Sequence, residues 1–265
     1  MRILFVGDVV GAPGRRIVRE RLKGLKRDVG ADLTIVNGEN AAGGAGLTTA
    51  TAEELFAAGA DVVTTGNHVW DKREVLGLLE REPRIPRPAN YPEGSPGGGI
   101  IVATVGGTRV AVVNLMGRLF MPLVDDPFRA ADRIVDGLRG SAGVVLVDFH
   151  AEATSEKMAF AWHLDGRVAA VLGTHTHVAT ADERVLPGGT AFIADVGMTG
   201  PFDSVIGVKK EQAIERFRTS RPIPYETADG DVRLAAVRVD VDAASGRATA
   251  IERIELRESE GGGTR

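Results

Sequence analysis

The sequence predicts an α/β fold with helices packed outside the strands, and three observations carry that prediction. Apolar runs of about four to six residues recur along the chain, each short enough for a buried strand. Between them lie stretches with apolar residues at helical spacing, opened or closed by Pro, Thr, Asp or Gly. Strand and helix alternate, which is the rhythm of parallel strands covered by helices. With 265 residues, 43% of them hydrophobic, the chain can bury one large core. No internal repeat, coiled-coil heptad or clean linker divides it. The expected architecture is a single α/β domain over residues 1–257, on a mixed sheet or on two stacked sheets.

The elements follow in order. "RILFV" is a strand, and "PGRRIVRERLKGLKRDVG" is a helix that opens at Pro13 and aligns Ile17, Val18, Leu22 and Leu25 on one face. "LTIV" and "DVVTT" are strands, separated by the helix "TTATAEELFAAG" and followed by the helix "DKREVLGLLERE". "RIPRPANYPEGSPGGG" is a Pro- and Gly-rich loop. "IIVATVGGTRVAVVNL" is a hairpin turning at Gly106 and Gly107. The helix "DDPFRAADRIVDGLRG" leads into the strand "VVLVDF", and a further helix begins near Glu156. "RVAAVLG" and "TAFIADVG" are strands, "KKEQAIERFR" is a helix, and "RLAAVRVDVDAASGRATAIERIEL" is a terminal hairpin. The tail from 258 to 265 has no apolar content and is expected to fray.

Composition excludes several function classes. The net charge is -4 and the pI about 5.8, which argues against a generic grip on long nucleic acid or an anionic membrane. Without cysteine, disulfides, thiolate metal sites and cysteine nucleophiles are impossible. The N-terminal apolar run is too short for a signal peptide, and nothing approaches the roughly 18 apolar residues of a membrane span. The cytoplasm is the expected compartment. No P-loop motif or G-x-S-x-G elbow occurs, and Gly7, Gly11 and Gly14 miss the dinucleotide spacing.

The informative pattern lies just past the strands. Asp8 follows "ILFVG", Glu39 and Asn40 follow "LTIVNG", and Asn67 and His68 follow "DVVTTG". His150 ends "VVLVDFH", and His175 and His177 end "VAAVLGTHTH". Four of the five histidines are in this set, and the carboxyl edge of an α/β sheet is where loops converge on ligands. Carboxylate, amide and imidazole donors without sulfur suit Mn, Fe or Zn. Asp8, Glu39, Asn40, Asn67, His150, His175 and His177 exceed the three or four protein ligands one open ion takes, so two ions are expected. An extended "HTH" would point both imidazoles the same way. Two divalent ions less Asp8, Glu39 and a bridging hydroxide leave the site near +1, which suits an anionic substrate. Two metals clamp phosphoryl oxygens and bring bound water toward a pKa of about 7.

These motifs resemble the calcineurin-like binuclear metallophosphoesterases, in "GD" at Asp8, "GNH" at Asn67 and His68, the lone His150 and "GTHTH" at His175 and His177. Two positions depart from that superfamily: Val10 stands where a histidine is usual, and Glu39 replaces the bridging aspartate. With "NGENAAGG", "GNHVWD" and "DFHAEATSEK", the departures resemble a bacterial subfamily of phosphodiesterases acting on 2′,3′-cyclic nucleotides. That resemblance implies two stacked mixed sheets flanked by helices. It implies one ion held by Asp8, Glu39, Asn40 and His177 and another by Glu39, Asn67, His150 and His175, with Glu39 bridging. The ions would be divalent or mixed-valence. His68 becomes the histidine that acts on the phosphate or leaving oxygen, and self-association is also implied.

Other residues have plainer readings. Asp8 could instead cap the next helix, and Asn40 or Asn67 could be turn residues. Trp70 is expected to anchor the core rather than stack on a base. Glu152, Thr154 and Ser155 are expected to cap a helix, and His163 to be structural. The glycines of "NGENAAGGAG" are expected to shape a phosphate-facing loop. The expected activity is hydrolysis of a small phosphodiester, a cyclic nucleotide, by a metal-bridging hydroxide. The alternatives are a phosphomonoesterase or nuclease on the same site, or a regulatory binding protein.

Overall fold

The computed structural model describes residues 1–258. In chain order these hold β1 (Arg2–Val6), α1 (Gly11–Val29), β2 (Leu33–Asn37), α2 (Thr49–Ala58), β3 (Val62–Thr64) and α3 (Val75–Arg81). Then come β4 (Ile100–Val105), β5 (Thr108–Met116), α4 (Pro127–Gly137), β6 (Val144–His150), α5 (Thr154–His163) and β7 (Ala170–Thr174). The chain continues through β8 (Arg184–Val185), β9 (Ala191–Ile193), β10 (Gly200–Pro201), α6 (Lys210–Thr219), β11 (Val232–Asp242) and β12 (Arg247–Arg257).

The strands form two mixed sheets, as the family resemblance implied where strand patterns alone left one sheet or two open. In the first, β1, β2 and β3 are parallel and β11 joins β1 antiparallel, with β12 beyond it and β10 prolonging the line of β1. In the second, β5, β6, β7 and β9 are parallel, with β4 and β8 as antiparallel edges.

Alternation of side chains explains the layers. Ile3 and Phe5 of β1 meet Val110, Val112, Val144 and Leu146 in a core between the sheets. Leu4 and Val6 face the other way, onto Ile17, Val18 and Leu22 of α1 and Leu55 of α2. Val113, Val147 and Phe149 pack on α4 and α5, where Phe160 stacks on Phe149 with centroids 4.0 Å apart. The result is helix, sheet, sheet, helix.

Local boundaries moved where side chains found other work. The first helix begins at Gly11 rather than Pro13. The third is shorter than its pattern, because residues 71–74 lie in a turn in which Asp71 bonds His68. The helix placed near Glu156 starts at Thr154 with Ala153 as its N-cap and no side-chain cap, so neither Glu152, Thr154 nor Ser155 caps it. The two-residue β8 and β10 carry too little pattern to be read from sequence. Glu258, expected to begin the frayed tail, is tied down instead: its amide donates to the Val232 carbonyl (2.9 Å) and its carboxylate pairs with Arg16 (2.5 Å). The rest of the predicted tail, 259–265, lies outside the described residues. Among the described residues no helix is long and apolar enough to cross a membrane.

Candidate metal centre

The same alternation that builds the inter-sheet core converts it to a polar floor at the carboxyl ends. Asn37, Thr64, Asn114, Asp148 and Thr174 continue the inward-facing positions of β2, β3, β5, β6 and β7, and all are buried. Asn37 Nδ2 donates to Asp148 Oδ2 across the sheets (3.0 Å), and the Thr174 hydroxyl donates to Asp148 Oδ1 (2.7 Å). The predicted donors stand immediately above this floor.

One group surrounds His150 Nε2. Asn67 Oδ1 lies at 2.9 Å, Glu39 Oε1 at 3.0 Å and His175 Nδ1 at 3.1 Å. A second group adjoins it: Asn40 Nδ2 is 3.0 Å from His177 Nε2 and 3.2 Å from Glu39 Oε1, and Asp8 Oδ1 is 3.9 Å from His177 Nε2. A half-turn of the Asn40 amide exchanges Nδ2 for Oδ1 at that place. Glu39 belongs to both groups. All seven predicted donors are thus brought together, and Glu39, His150 and His175 offer ligand atoms within 4.8 Å of one another.

Each imidazole turns its other nitrogen to a partner outside the donor set, hydrogen-bonded for His150 and His177 and close but not hydrogen-bonded for His175. His150 Nδ1 meets the Thr174 hydroxyl (2.9 Å), His175 Nε2 the Glu152 carboxylate (3.2 Å) and His177 Nδ1 the Ile206 carbonyl (2.8 Å). Such outer partners fix ring orientation and tautomer at metal sites. They leave Nε2, Nδ1 and Nε2, respectively, facing the carboxylates.

The predicted reason for the "HTH" geometry was wrong. His175 and His177 are not extended but stand at φ 98° and 65°, past the end of β7, and turn toward the cluster by strained backbone rather than by pleat. Asp8 is not a helix cap, since the N-cap of α1 is Val10 and uses no side chain. Val10 is buried, with its β-carbon beside Gly200 and a methyl group beside Gly207, close to Met198, so its side chain is packed among apolar neighbours.

Two buried carboxylates, Asp8 and Glu39, suit a cation, which would displace the proton that they otherwise hold on His150. Burial pushes Asp8 up to about 6, against the pull of His177 and His150. Burial alone would raise Glu39, but His150 beside it, with His68 and His175 near, holds it at about 2. Burial alone would lower His150, yet Glu39, Asp8 and Asp148 push it up to about 9. Burial and His150 push His175 down to about 3, the neutral form a metal needs. Asp8 Oδ1 is buried with no hydrogen-bond partner, a costly arrangement that a cation relieves. The hard oxygens and imidazoles suit a divalent first-row ion.

His68 stands apart from the donors. Its amide donates to Glu39 Oε2 (3.2 Å), while its Nδ1 pairs with Asp71 Oδ2 (2.8 Å), leaving Nε2 as the nitrogen available to a substrate. Asp71 had no role in the reading from sequence, although its position three residues after His68 was a usable signal. That reading also missed Asp148 and Thr174, and took Glu152 for a cap. Trp70 packs edge-on against Tyr91 (5.3 Å between centroids) beside the core, and His163 pairs with Asp132 (2.9 Å), both as expected. Gly43, Gly44 and Gly46 all take positive φ, which the turns of this loop require of glycine.

The two mixed sheets and the donor cluster at their carboxyl ends define a metallophosphoesterase-type fold. The whole structure superposes on a phosphatase from Mycoplasma pneumoniae with a TM-score of 0.92 at 36% identity, covering 97% of this chain and 93% of that one. A hypothetical protein from Thermus thermophilus matches equally well, TM-score 0.92 at 48% identity, over 97% of this chain and 100% of the other. The model of the YmdB-like protein family matches residues 4–254, and the chain belongs to that family. It is 49% identical over 258 residues to the 2′,3′-cyclic-nucleotide 2′-phosphodiesterase of Bacillus subtilis, covering 97% of this chain and 98% of the relative.

Proposed function

We propose that the protein is a metal-dependent phosphodiesterase that hydrolyses 2′,3′-cyclic nucleotides to nucleoside monophosphates. The observation that carries this reading is the convergence of three oriented imidazole nitrogens on the Asp8 and Glu39 carboxylates, in a chain so similar over its whole length to a phosphodiesterase of that specificity.

Asp8, Glu39, Asn40 and His177 would hold one ion and Glu39, Asn67, His150 and His175 the other, with iron or manganese preferred and zinc a third choice. The ions supply charge for the phosphoryl oxygens and acidify water. His68 then protonates the departing ribose oxygen through Nε2, with Asp71 holding its ring. Gly66 leaves the Glu39 carboxylate and His150 ring room to meet, since a Cβ there would overlap both. The cytoplasm is the compartment we assign to it.

The test is a substrate panel on metal-reconstituted protein together with metal analysis. Turnover of 2′,3′-cyclic AMP above that of 3′,5′-cyclic AMP and p-nitrophenyl phosphate is expected, with about two ions per chain. Faster hydrolysis of the phosphomonoester would reject the assignment.

A further inference from the structure

The strained backbone of His175 and His177 is restrained by a buried ion pair that is no part of the donor set. Lys157, in α5, is 1% exposed. Its Nζ donates to Asp195 Oδ2 and to the carbonyl of Thr174, both at 2.8 Å. Asp195, also 1% exposed, lies just past β9. Its Oδ2 accepts the Thr176 amide (3.1 Å) and hydroxyl (2.7 Å), and its Oδ1 accepts the Gly197 amide (2.8 Å). Thr176 is the residue between the two histidines. The carbonyl before His175 and the amide after it are therefore tied to one charged pair.

Burying a lysine and an aspartate is costly, and apolar residues could fill the same space more cheaply. The pair makes sense if it supplies something packing cannot: directed hydrogen bonds to Thr174 and Thr176, in a segment that its own backbone preferences would relax. We propose that Lys157 and Asp195 are positioning residues, a clamp holding Thr174–His177 so that His175 Nδ1 and His177 Nε2 reach the metal cluster. The clamp rests on the reading of these histidines as metal ligands. Neither Lys157 nor Asp195 touches substrate.

The test uses chelator-stripped full-length protein, with Mn²⁺ affinity measured by competition against a chromophoric chelator and stability by urea unfolding. Thr176→Val deletes one bond of the clamp without leaving a buried charge. It should weaken Mn²⁺ binding about tenfold or more while the urea midpoint barely moves. Lys157→Met strands the Asp195 charge and should lose both affinity and stability. Lys157→Met with Asp195→Asn removes that stranded charge, so the urea midpoint should largely recover while Mn²⁺ affinity stays at least tenfold down. Wild-type affinity in Thr176→Val, or affinity that recovers with stability in the double variant, overturns the clamp. Failure of the unaltered protein to bind Mn²⁺ overturns the ligand reading and the clamp with it.

Discussion

Replacing Gly66 with alanine should disable the metal centre while leaving the fold intact. Gly66 follows β3, and its backbone needs no left-handed angle; what it needs is the absence of a side chain. An alanine Cβ would overlap Glu39 Oε2 and the Nε2 and Cδ2 atoms of His150. Restoring ordinary separations of about 3.5 Å requires those groups to retreat by roughly 1 Å or more. They are the shared carboxylate and the imidazole at the centre of the proposed donor set, so the two ions would lose their common ligand geometry. A misplacement of about 1 Å costs on the order of 100-fold in rate, or about 2.7 kcal/mol of transition-state stabilisation. Local overpacking adds about 1–3 kcal/mol of destabilisation. The assay is kcat/KM on 2′,3′-cyclic AMP after reconstitution, with bound metal and thermal unfolding measured on the same sample. A Gly66→Ala protein with unaltered turnover and a full complement of metal would refute the argument.

Three further outcomes test other parts of the account. His68→Ala should keep its metal, because His68 lies outside the proposed donor set, and lose about 10²–10⁴-fold in turnover; full turnover would remove His68 from the chemistry. Phe160→Ala should cost about 3–5 kcal/mol in urea unfolding, since it deletes a fully buried ring stacked on Phe149, and a cost under about 1 kcal/mol would mean the layer repacks freely. Free Mn²⁺ at about 100 times its Kd should stabilise the chelator-stripped protein by about 2.7 kcal/mol per site, and an unchanged melting temperature on adding Mn²⁺ would contradict a cation site there.

Much of the fold was legible because burial imposes periodicity. β1, β2, β6 and β7 read as apolar runs since both of their faces are covered, and α1 shows its stripe since only one face is. Stacked sheets could not be told from a single sheet, because strand patterns do not say which strands pair. The short β8 and β10 and the turn that shortens α3 escaped for want of pattern. At the site, residue types past the strand ends pointed to the donors, whereas the pleat argument for "HTH" failed: the chain leaves β7 before the histidines and is bent by contacts from α5 and the segment after β9.

The sequence by itself determined the layer chemistry and the inventory of candidate donors, because both depend on residue type and on spacing along one chain. Only the tertiary structure decided which nitrogen of each histidine faces the cluster, and what holds His175 and His177 there. Those choices depend on Thr174, Glu152 and Ile206 for the rings and on Lys157 and Asp195 for the backbone. Hydrogen bonds act over about 3 Å in space, whatever the separation in sequence. The pairs that matter here join residues up to 38 positions apart, and no local pattern records them.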